Sequence, residues 1–186
     1  MLKNIKLMTA IASAMIAAPV AAADDFQFSA GGEYIFDSAD SEFAFTGITG
    51  RGAYFFNRNI GIEVEGTAGT SGASNYDGSG IDFDLDSQFG GYVVGRMPAG
   101  QSGEFFGRVG FRAGTISVSA FGVEETVDYN GFSIGGGYTY FFSENVGLRA
   151  DVTTSGASLD NNFSPDGNLT SFAVSLVIKL GGKKEA

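Results

Sequence analysis

The chain contains two copies of one pattern, Tyr54-Phe-Phe-Asn-Arg-Asn-Ile-Gly-Ile-Glu-Val-Glu65 and Tyr140-Phe-Phe-Ser-Glu-Asn-Val-Gly-Leu-Arg-Ala-Asp151, which lie 86 residues apart. In each copy, aromatic residues precede a short polar link, and alternating apolar and polar residues follow it. Alternation with a period of two is typical of a β-strand that has one apolar face. Each copy therefore predicts a hairpin, and a single repetition is too little for a periodic repeat array.

The same period of two continues outward from these hairpins over the rest of the chain after Phe26. Eight alternating runs are centred near residues 31, 49, 64, 89, 110, 133, 150 and 174. Most of them have ten or more residues, and about nine to eleven tilted residues span a bilayer core as a strand. The period predicts eight long strands, with no helix after the N-terminal segment.

The links between the runs alternate in length. Short links follow runs two, four and six, at 56–59, 98–103 and 142–145. Longer polar links are expected after runs three, five and seven, for example at 69–80 and 156–167, and a shorter polar link follows run one. Short turns at one end and longer loops at the other are typical of outer-membrane barrels.

The N-terminus has the features of an export signal. Lys3 and Lys6 precede an apolar stretch, and Ala21-Ala22-Ala23 forms a small-residue cleavage site before Asp24. The stretch is too short for a membrane-spanning helix. We interpret it as a signal peptide, and the alternative is an amphipathic N-terminal helix of a cytosolic protein. We predict three regions: a signal peptide at 1–23, a barrel at 24–180 and a short polar tail at 181–186. The sequence has no cysteine, so no disulfide holds the exported protein together.

On these hairpins, Tyr54–Ile62 and Tyr140–Leu148, the chain resembles the small eight-stranded outer-membrane β-barrels. That family includes the transmembrane domain of outer-membrane protein A, the opacity-type proteins and the outer-membrane proteins of the porin family. Glycine pairs at the strand centres, such as Gly31-Gly32 and Gly90-Gly91, fit the resemblance. It implies an all-β, eight-stranded antiparallel up-and-down transmembrane barrel. The last strand ends on Leu180 rather than on the aromatic residue that the barrel assembly machinery recognises in family members, so the resemblance does not extend to simple terminal recognition.

Alternation alone leaves two barrel types open, because a soluble lipocalin-type barrel has apolar residues inside and polar residues outside. Aromatic residues collect where the strands meet the short turns, and a membrane barrel carries such girdles at its interfaces. The predicted girdle is Tyr54, Phe55, Phe56, Phe105, Phe106, Tyr140, Phe141 and Phe142.

Charges of both signs lie on the face opposite the apolar one, and in a membrane barrel they must pair inside the lumen. The predicted interior charges are Glu33, Arg51, Glu63, Glu65, Arg96, Arg108, Arg112, Arg149, Asp151 and Lys179. Glu63 and Arg149 occupy equivalent positions in the two hairpins. They are expected either to meet across the lumen or to pair with strand neighbours.

Charge is also unevenly distributed along the barrel axis. Without Lys3 and Lys6, the chain has nine basic and 21 acidic residues, a net charge of −12, and the predicted loop ends carry only acids. Such a surface excludes nucleic acid as a partner. The expected partners are membrane lipids and lipopolysaccharide, with Mg²⁺ or Ca²⁺ loosely bound between them. We expect a monomer in the outer membrane, with extracellular loops and periplasmic termini.

Catalysis is not expected. The chain has no histidine and no cysteine, which excludes histidine-based acid–base chemistry and catalytic triads. The stretch Asp82-x-Asp84-x-Asp86 begins like an EF-hand, but Ser87 and Val93 stand where the loop needs glycine and glutamate. No catalytic residue, cofactor or metal site is predicted. The first functional hypothesis is a structural, surface-exposed barrel, the alternative is a narrow channel for ions or small solutes, and an adhesin ranks third.

Overall fold

A computed structural model describes residues 25–37, 44–73, 80–120, 123–159 and 167–180. The predicted signal peptide and polar tail lie outside these residues and remain predictions. The described chain forms one closed antiparallel barrel. Its strands are β1 (Phe26–Asp37), β2 (Ala44–Phe55), β3 (Ile60–Ser71), β4 (Ile81–Pro98), β5 (Gly103–Ala120), β6 (Val123–Phe141), β7 (Val146–Leu159) and β8 (Gly167–Leu180).

Each strand pairs with its neighbours in sequence, and β1 closes the barrel against β8, with Phe26 opposite Leu180. The eight-stranded up-and-down barrel predicted from the period of two is therefore confirmed. No described helix is long and apolar enough to cross a membrane.

The links define two different ends of the barrel. Residues 56–59, 99–102 and 142–145 form short connections at one end, which we call the turn side, as predicted. The opposite end is the loop side. The prediction of a longer link after run five is wrong, because only Phe121 and Gly122 separate β5 from β6. The alternation continues through both strands up to this link, so β5 and β6 reach 18 and 19 residues and extend the wall on the loop side.

The barrel wall has a charged interior and an apolar exterior. On β3, Ile62 and Val64 face outward and are 46% and 47% exposed, while Glu63 between them is 2% exposed. A soluble barrel has the reverse polarity, so the lipocalin-type alternative is wrong. All eight strands contribute exposed apolar side chains to the outer face, and a surface of this kind is stable in lipid rather than in water.

The predicted aromatic girdle needs a correction. Of its eight members, Tyr54, Phe56, Phe105, Tyr140 and Phe142 face outward. Phe55 and Phe106 are buried in the lumen, and Phe141 packs against the inward Lys179. The reason is the pleat: adjacent residues of a strand point to opposite faces, so a run of neighbouring aromatic residues cannot lie on one face.

Glycine is required at the narrow centre of the wall, where strands approach closely. A Cβ atom added to Gly31 would lie 1.9 Å from the carbonyl oxygen of Val174 on β8. One added to Gly110 would lie 1.9 Å from the carbonyl oxygen of Gly91 on β4. Both contacts are with backbone, so they cannot be relieved by moving a side chain. These glycines permit the strong curvature of a small barrel.

Candidate functional site: the barrel interior

The middle of the lumen is filled by eight charged side chains from β1, β2, β3, β5 and β7. All are buried, between 1% and 6% exposed. We call this group the central ionic layer, and it consists of Glu33, Arg51, Glu63, Glu65, Arg108, Arg112, Arg149 and Asp151. Every member was predicted as an interior charge.

Arg108 is the hub of the central ionic layer. Its Nη1 donates to Glu63 Oε1 at 2.8 Å and to Glu65 Oε2 at 2.7 Å. Its Nη2 donates to Asp151 Oδ1 at 3.1 Å and to Thr153 Oγ1 at 2.7 Å. The guanidinium carbon also lies 4.4 Å from the ring centre of Tyr92, a cation–π contact. One arginine thus joins three carboxylates from two sides of the barrel.

Arg112 forms the second junction, closer to the loop side. Its Nη2 donates to Glu65 Oε1 at 2.7 Å and to Glu33 Oε1 at 3.1 Å. Its other two nitrogens donate to the Tyr92 hydroxyl at 3.1 Å and to Ser171 Oγ at 3.1 Å. All three nitrogens of the guanidinium group therefore donate hydrogen bonds, which fixes the side chain in one position.

Arg51 completes the layer from β2. Its Nε donates to Glu65 Oε2 at 2.6 Å, and its Nη1 donates to Ser175 Oγ at 2.9 Å. Its Nη2 lies 3.5 Å from Asp151 Oδ1 and makes no hydrogen bond. Glu65 is consequently shared by three arginines, Arg51, Arg108 and Arg112.

Of the two arrangements left open for Glu63 and Arg149, the structure has the contact across the lumen. Nη1 of Arg149 donates to Glu63 Oε2 at 2.5 Å, and Nη2 donates to Glu63 Oε1 at 3.2 Å. The alternative pairing with neighbours occurs as well, because Arg149 Nε donates to Asp151 Oδ2 at 3.1 Å and Glu63 also binds Arg108. The side chains from β3 and β7 therefore meet in the middle of the lumen.

The central ionic layer is electrically neutral, with four arginines against four carboxylates. Removing a charge from water costs several kcal/mol, and only opposite charges with good hydrogen-bond geometry offset that cost. The multiple contacts of each arginine provide this geometry. As a result, removing any one partner leaves an uncompensated charge in a sealed interior.

A second charged group lies at the turn side, and we call it the turn-side mouth. It consists of Asp25, Arg96, Glu104 and Lys179. Arg96 pairs with Asp25, and its Nη1 lies 3.8 Å from Glu104 Oε2. Lys179 Nζ lies 3.4 Å from the same oxygen, and its side chain is 21% exposed, more than any other predicted interior charge.

The interior prediction missed Asp25 and Glu104. The ten predicted charges comprise six bases and four acids, and these two carboxylates bring the acids to six. Two signals were available in the sequence. The excess of bases required more acids inside, and Glu104 shares the parity of the inward Phe106 and Arg108 on β5.

Two apolar clusters enclose the central ionic layer. The loop-side cluster is larger and lies at the opposite end from the turn-side mouth; it contains Ile35, Phe45, Leu85, Ile116, Tyr129 and Leu169, with Phe83 and Val118 against it. The turn-side cluster contains Ala53, Phe55, Tyr92, Val94 and Phe106. These clusters were not predicted, because the inward face was assigned to charged residues. Their members nevertheless occupy the inward-facing positions of the alternation.

The chemistry available in this interior is that of charge pairing. The described residues include no group of three or more histidine, cysteine, aspartate or glutamate side chains arranged to hold a metal ion. Asp82, Asp84 and Asp86 lie exposed on the loop-side part of β4, where Ser117 Oγ donates to Asp86 Oδ2 at 2.9 Å.

Comparison with known proteins gives one family match and several similar structures. The family model for the outer membrane protein beta-barrel domain matches residues 8–179 of the chain. No curated protein matches the sequence.

Three similar solved structures represent the structural matches. The attachment invasion locus protein Ail of Yersinia pestis, in complex with the heparin analogue sucrose octasulfate, is 17% identical, with a TM-score of 0.59 over 86% of this chain and 100% of that one. Neisserial surface protein A is 16% identical, with a TM-score of 0.61 over 84% and 96% of the two chains. The N-terminal barrel domain of OprF from Pseudomonas aeruginosa is 12% identical, with a TM-score of 0.58 over 84% and 98%. At these identities the structures share the fold alone.

Proposed function

The chain belongs to the outer-membrane β-barrel family, and we propose that it is a non-enzymatic barrel with a structural, surface-exposed role in the bacterial envelope. The observation that carries this proposal is the neutral central ionic layer enclosed between two apolar clusters. A barrel filled in this way stabilises its own wall and displays loops.

The channel hypothesis fits the interior less well. An eight-stranded barrel has little room beyond its own side chains. Arg108 and Arg112 are 2% and 1% exposed. Arg108 bridges carboxylates of β3 and β7, and Arg112 bridges those of β1 and β3, so an ion path would have to break several contacts at once. The loop-side cluster adds an apolar barrier, which a hydrated ion crosses only at high cost.

The adhesin hypothesis also receives little support. One similar protein, Ail, has been crystallised with a heparin analogue, a sulfated polyanion. In this chain the described loop-side residues include exposed acids such as Asp84, Glu124, Glu125 and Asp128. Charges of this sign repel a polyanion, so the same ligand class does not fit here.

For orientation and partners, we propose that the loop side faces the cell exterior and that both termini face the periplasm. The acidic loop side then meets the phosphates of lipopolysaccharide, and divalent cations bridge the two negative surfaces. We expect a monomer that is inserted by the barrel assembly machinery. Thermal unfolding in lipopolysaccharide-containing detergent at low salt tests the bridging: a chelator should lower the Tm, and an unchanged Tm contradicts it.

Two measurements test the functional proposal. In proteoliposomes, the protein should cause no swelling with sugars or amino acids, while a known porin at the same protein-to-lipid ratio does. In cells, deletion of the gene should raise sensitivity to detergent and to large antibiotics, and the intact gene should restore resistance. Solute-dependent swelling, or a deletion strain with unchanged sensitivity, contradicts the proposal.

A further inference from the structure

The two repeated hairpins share their main turn-closing hydrogen bonds. In the first, Phe56 N donates to Ile60 O at 3.0 Å, and Asn57 Oδ1 accepts from Ile60 N at 2.9 Å. In the second, the corresponding bonds run from Phe142 N to Val146 O at 3.1 Å and from Val146 N to Ser143 Oγ at 3.0 Å. The turns are thus closed by the same backbone bond and by a side chain at the same position.

The equivalence continues into the strand that follows each hairpin. The carbonyl oxygen of Asn59 accepts from Arg96 N on β4 at 2.7 Å, and that of Asn145 accepts from Lys179 N on β8 at 2.8 Å. Each of these bases lies over the inward aromatic residue of its hairpin. The distance to the ring centre is 3.7 Å for Arg96 over Phe55 and 3.7 Å for Lys179 over Phe141. The contacts around the turn between β2 and β3 therefore recur around the turn between β6 and β7.

The barrel can be divided into two halves that share a corresponding hairpin, β1–β4 and β5–β8, and the net interior charges of these halves have opposite signs. The first half, with the adjoining Asp25, carries four acids and two bases, a net charge of −2; they are Asp25, Glu33, Glu63, Glu65, Arg51 and Arg96. The second half carries two acids and four bases, a net charge of +2; they are Glu104, Asp151, Arg108, Arg112, Arg149 and Lys179.

Most of the ion pairs among these twelve residues join the two halves. Seven of the twelve pairs cross from one half to the other. Five remain within a half. The clearest case is Glu63 with Arg149, because these residues occupy the same position in the two equivalent hairpins and have opposite charge.

We infer that each half is an interaction surface for a half of opposite interior charge, and that this charge difference selects the mixed barrel over a barrel made of two like halves. A barrel of two first halves would place Glu63 against Glu63 and hold four uncompensated negative charges. A barrel of two second halves would hold four positive charges. Like charges placed against each other at an interface cost several kcal/mol. Strand length adds to this selection, because β4 and β5 match at 18 residues each, whereas β1 and β8 have 12 and 14. The charge exchanges described below isolate the contribution of the interior charges.

The consequence is a safeguard during assembly. Two unfolded copies of one chain can also meet through two like halves, and the interior charges disfavour that pairing. A swapped dimer joins each first half to a second half from the other copy, so it keeps every native charge pair and is not disfavoured. This inference does not depend on whether the lumen conducts ions.

The test uses the full chain with a protease site inserted in the 99–102 turn. The folded protein is cleaved there, unfolded in urea and refolded in detergent, so that both halves are present in equal amounts. Heat-modifiable gel mobility detects barrels, and native mass spectrometry gives their composition. We expect mixed barrels and fewer than about one in ten like-half barrels. Like-half barrels in random proportion overturn the inference, as does failure of the cleaved protein to refold when the uncut protein does.

Charge exchanges distinguish this selection from ordinary ion pairing. The double variant Glu63→Arg with Arg149→Glu keeps one opposite pair but brings both halves to zero net interior charge. The matched control, Glu104→Lys with Lys179→Glu, exchanges a pair within the second half and leaves its charge at +2. We expect like-half barrels to rise at least fivefold in the first variant and to stay unchanged in the control.

Equal behaviour of the two variants overturns the inference. The urea midpoint of each uncut variant separates a folding defect from a loss of selection. If Glu63→Arg with Arg149→Glu does not fold uncut, the milder Glu63→Gln with Arg149→Gln takes its place. It lowers the charges of the halves to −1 and +1, and we expect an intermediate rise in like-half barrels, with no rise counting against the inference.

Discussion

The central ionic layer and the turn-side mouth use the same residue types in different ways. In the centre, Arg108 contacts three carboxylates at 2.7–3.1 Å, and its side chain is 0% exposed. At the mouth, Lys179 contacts one carboxylate at 3.4 Å, and its side chain is 21% exposed. The centre is therefore a buried network, whereas the pair of Lys179 and Glu104 at the mouth is one that water can reach.

This difference in burial decides what the charges contribute. Water around the mouth screens its ion pairs, and pairs of that kind contribute little to stability. In the centre, little water remains to solvate a charge that loses its partner. The loss of a central partner should therefore destabilise the barrel more than the loss of Lys179 at the mouth.

The largest expected effect follows from removing the hub. Arg108→Ala leaves Glu63, Glu65 and Asp151 with fewer partners in the sealed interior, and we expect a loss of ~3–5 kcal/mol in the free energy of unfolding. The urea midpoint of the refolded protein in detergent measures it. A loss below about 1 kcal/mol would place the centre in the same class as an exposed pair.

A smaller effect is expected at the mouth. Lys179→Ala removes a partly exposed partner of Glu104, so the free energy of unfolding should fall by at most ~1 kcal/mol. The same urea titration, run beside Arg108→Ala, gives the comparison directly. If the two variants lose equal stability, the distinction between the two regions is wrong.

The smallest expected effect is the response to salt. Between about 0.1 and 1 M salt the screening length falls from about 10 to about 3 Å, which weakens exposed pairs far more than buried ones. The stability difference between wild type and Lys179→Ala should shrink toward zero over this range. The difference for Arg108→Ala should persist, and a parallel decrease in both would show that the centre is hydrated.

The sequence predicted the fold and the parity of the interior charges because both follow from a period of two. It placed Glu33, Glu63 and Arg149 on the inward face through their apolar neighbours alone. The prediction was wrong for Phe55, which was assigned to the girdle because it stands among aromatic residues. Adjacent residues of a strand point to opposite faces, so Phe55 faces inward between the outward Tyr54 and Phe56.

Other features require the closed structure. Arg108 meets Glu63 and Asp151 because curvature brings β3, β5 and β7 around one axis, and no local pattern encodes that distance. The length of β5 and β6 was missed because the polar residues near their link resemble a loop. Asp25 was missed because it stands before the first alternating run, where parity gives no information.

Single-channel recording in planar bilayers tests the central claim that the neutral ionic layer and the apolar clusters seal the lumen. The wild-type protein should insert as a heat-modifiable barrel and give no discrete conductance steps in 1 M KCl. Arg149→Ala, which removes the cross-lumen contact to Glu63, should give at most small, rare steps because the loop-side cluster remains. Regular open-channel steps from the wild-type protein would contradict the account.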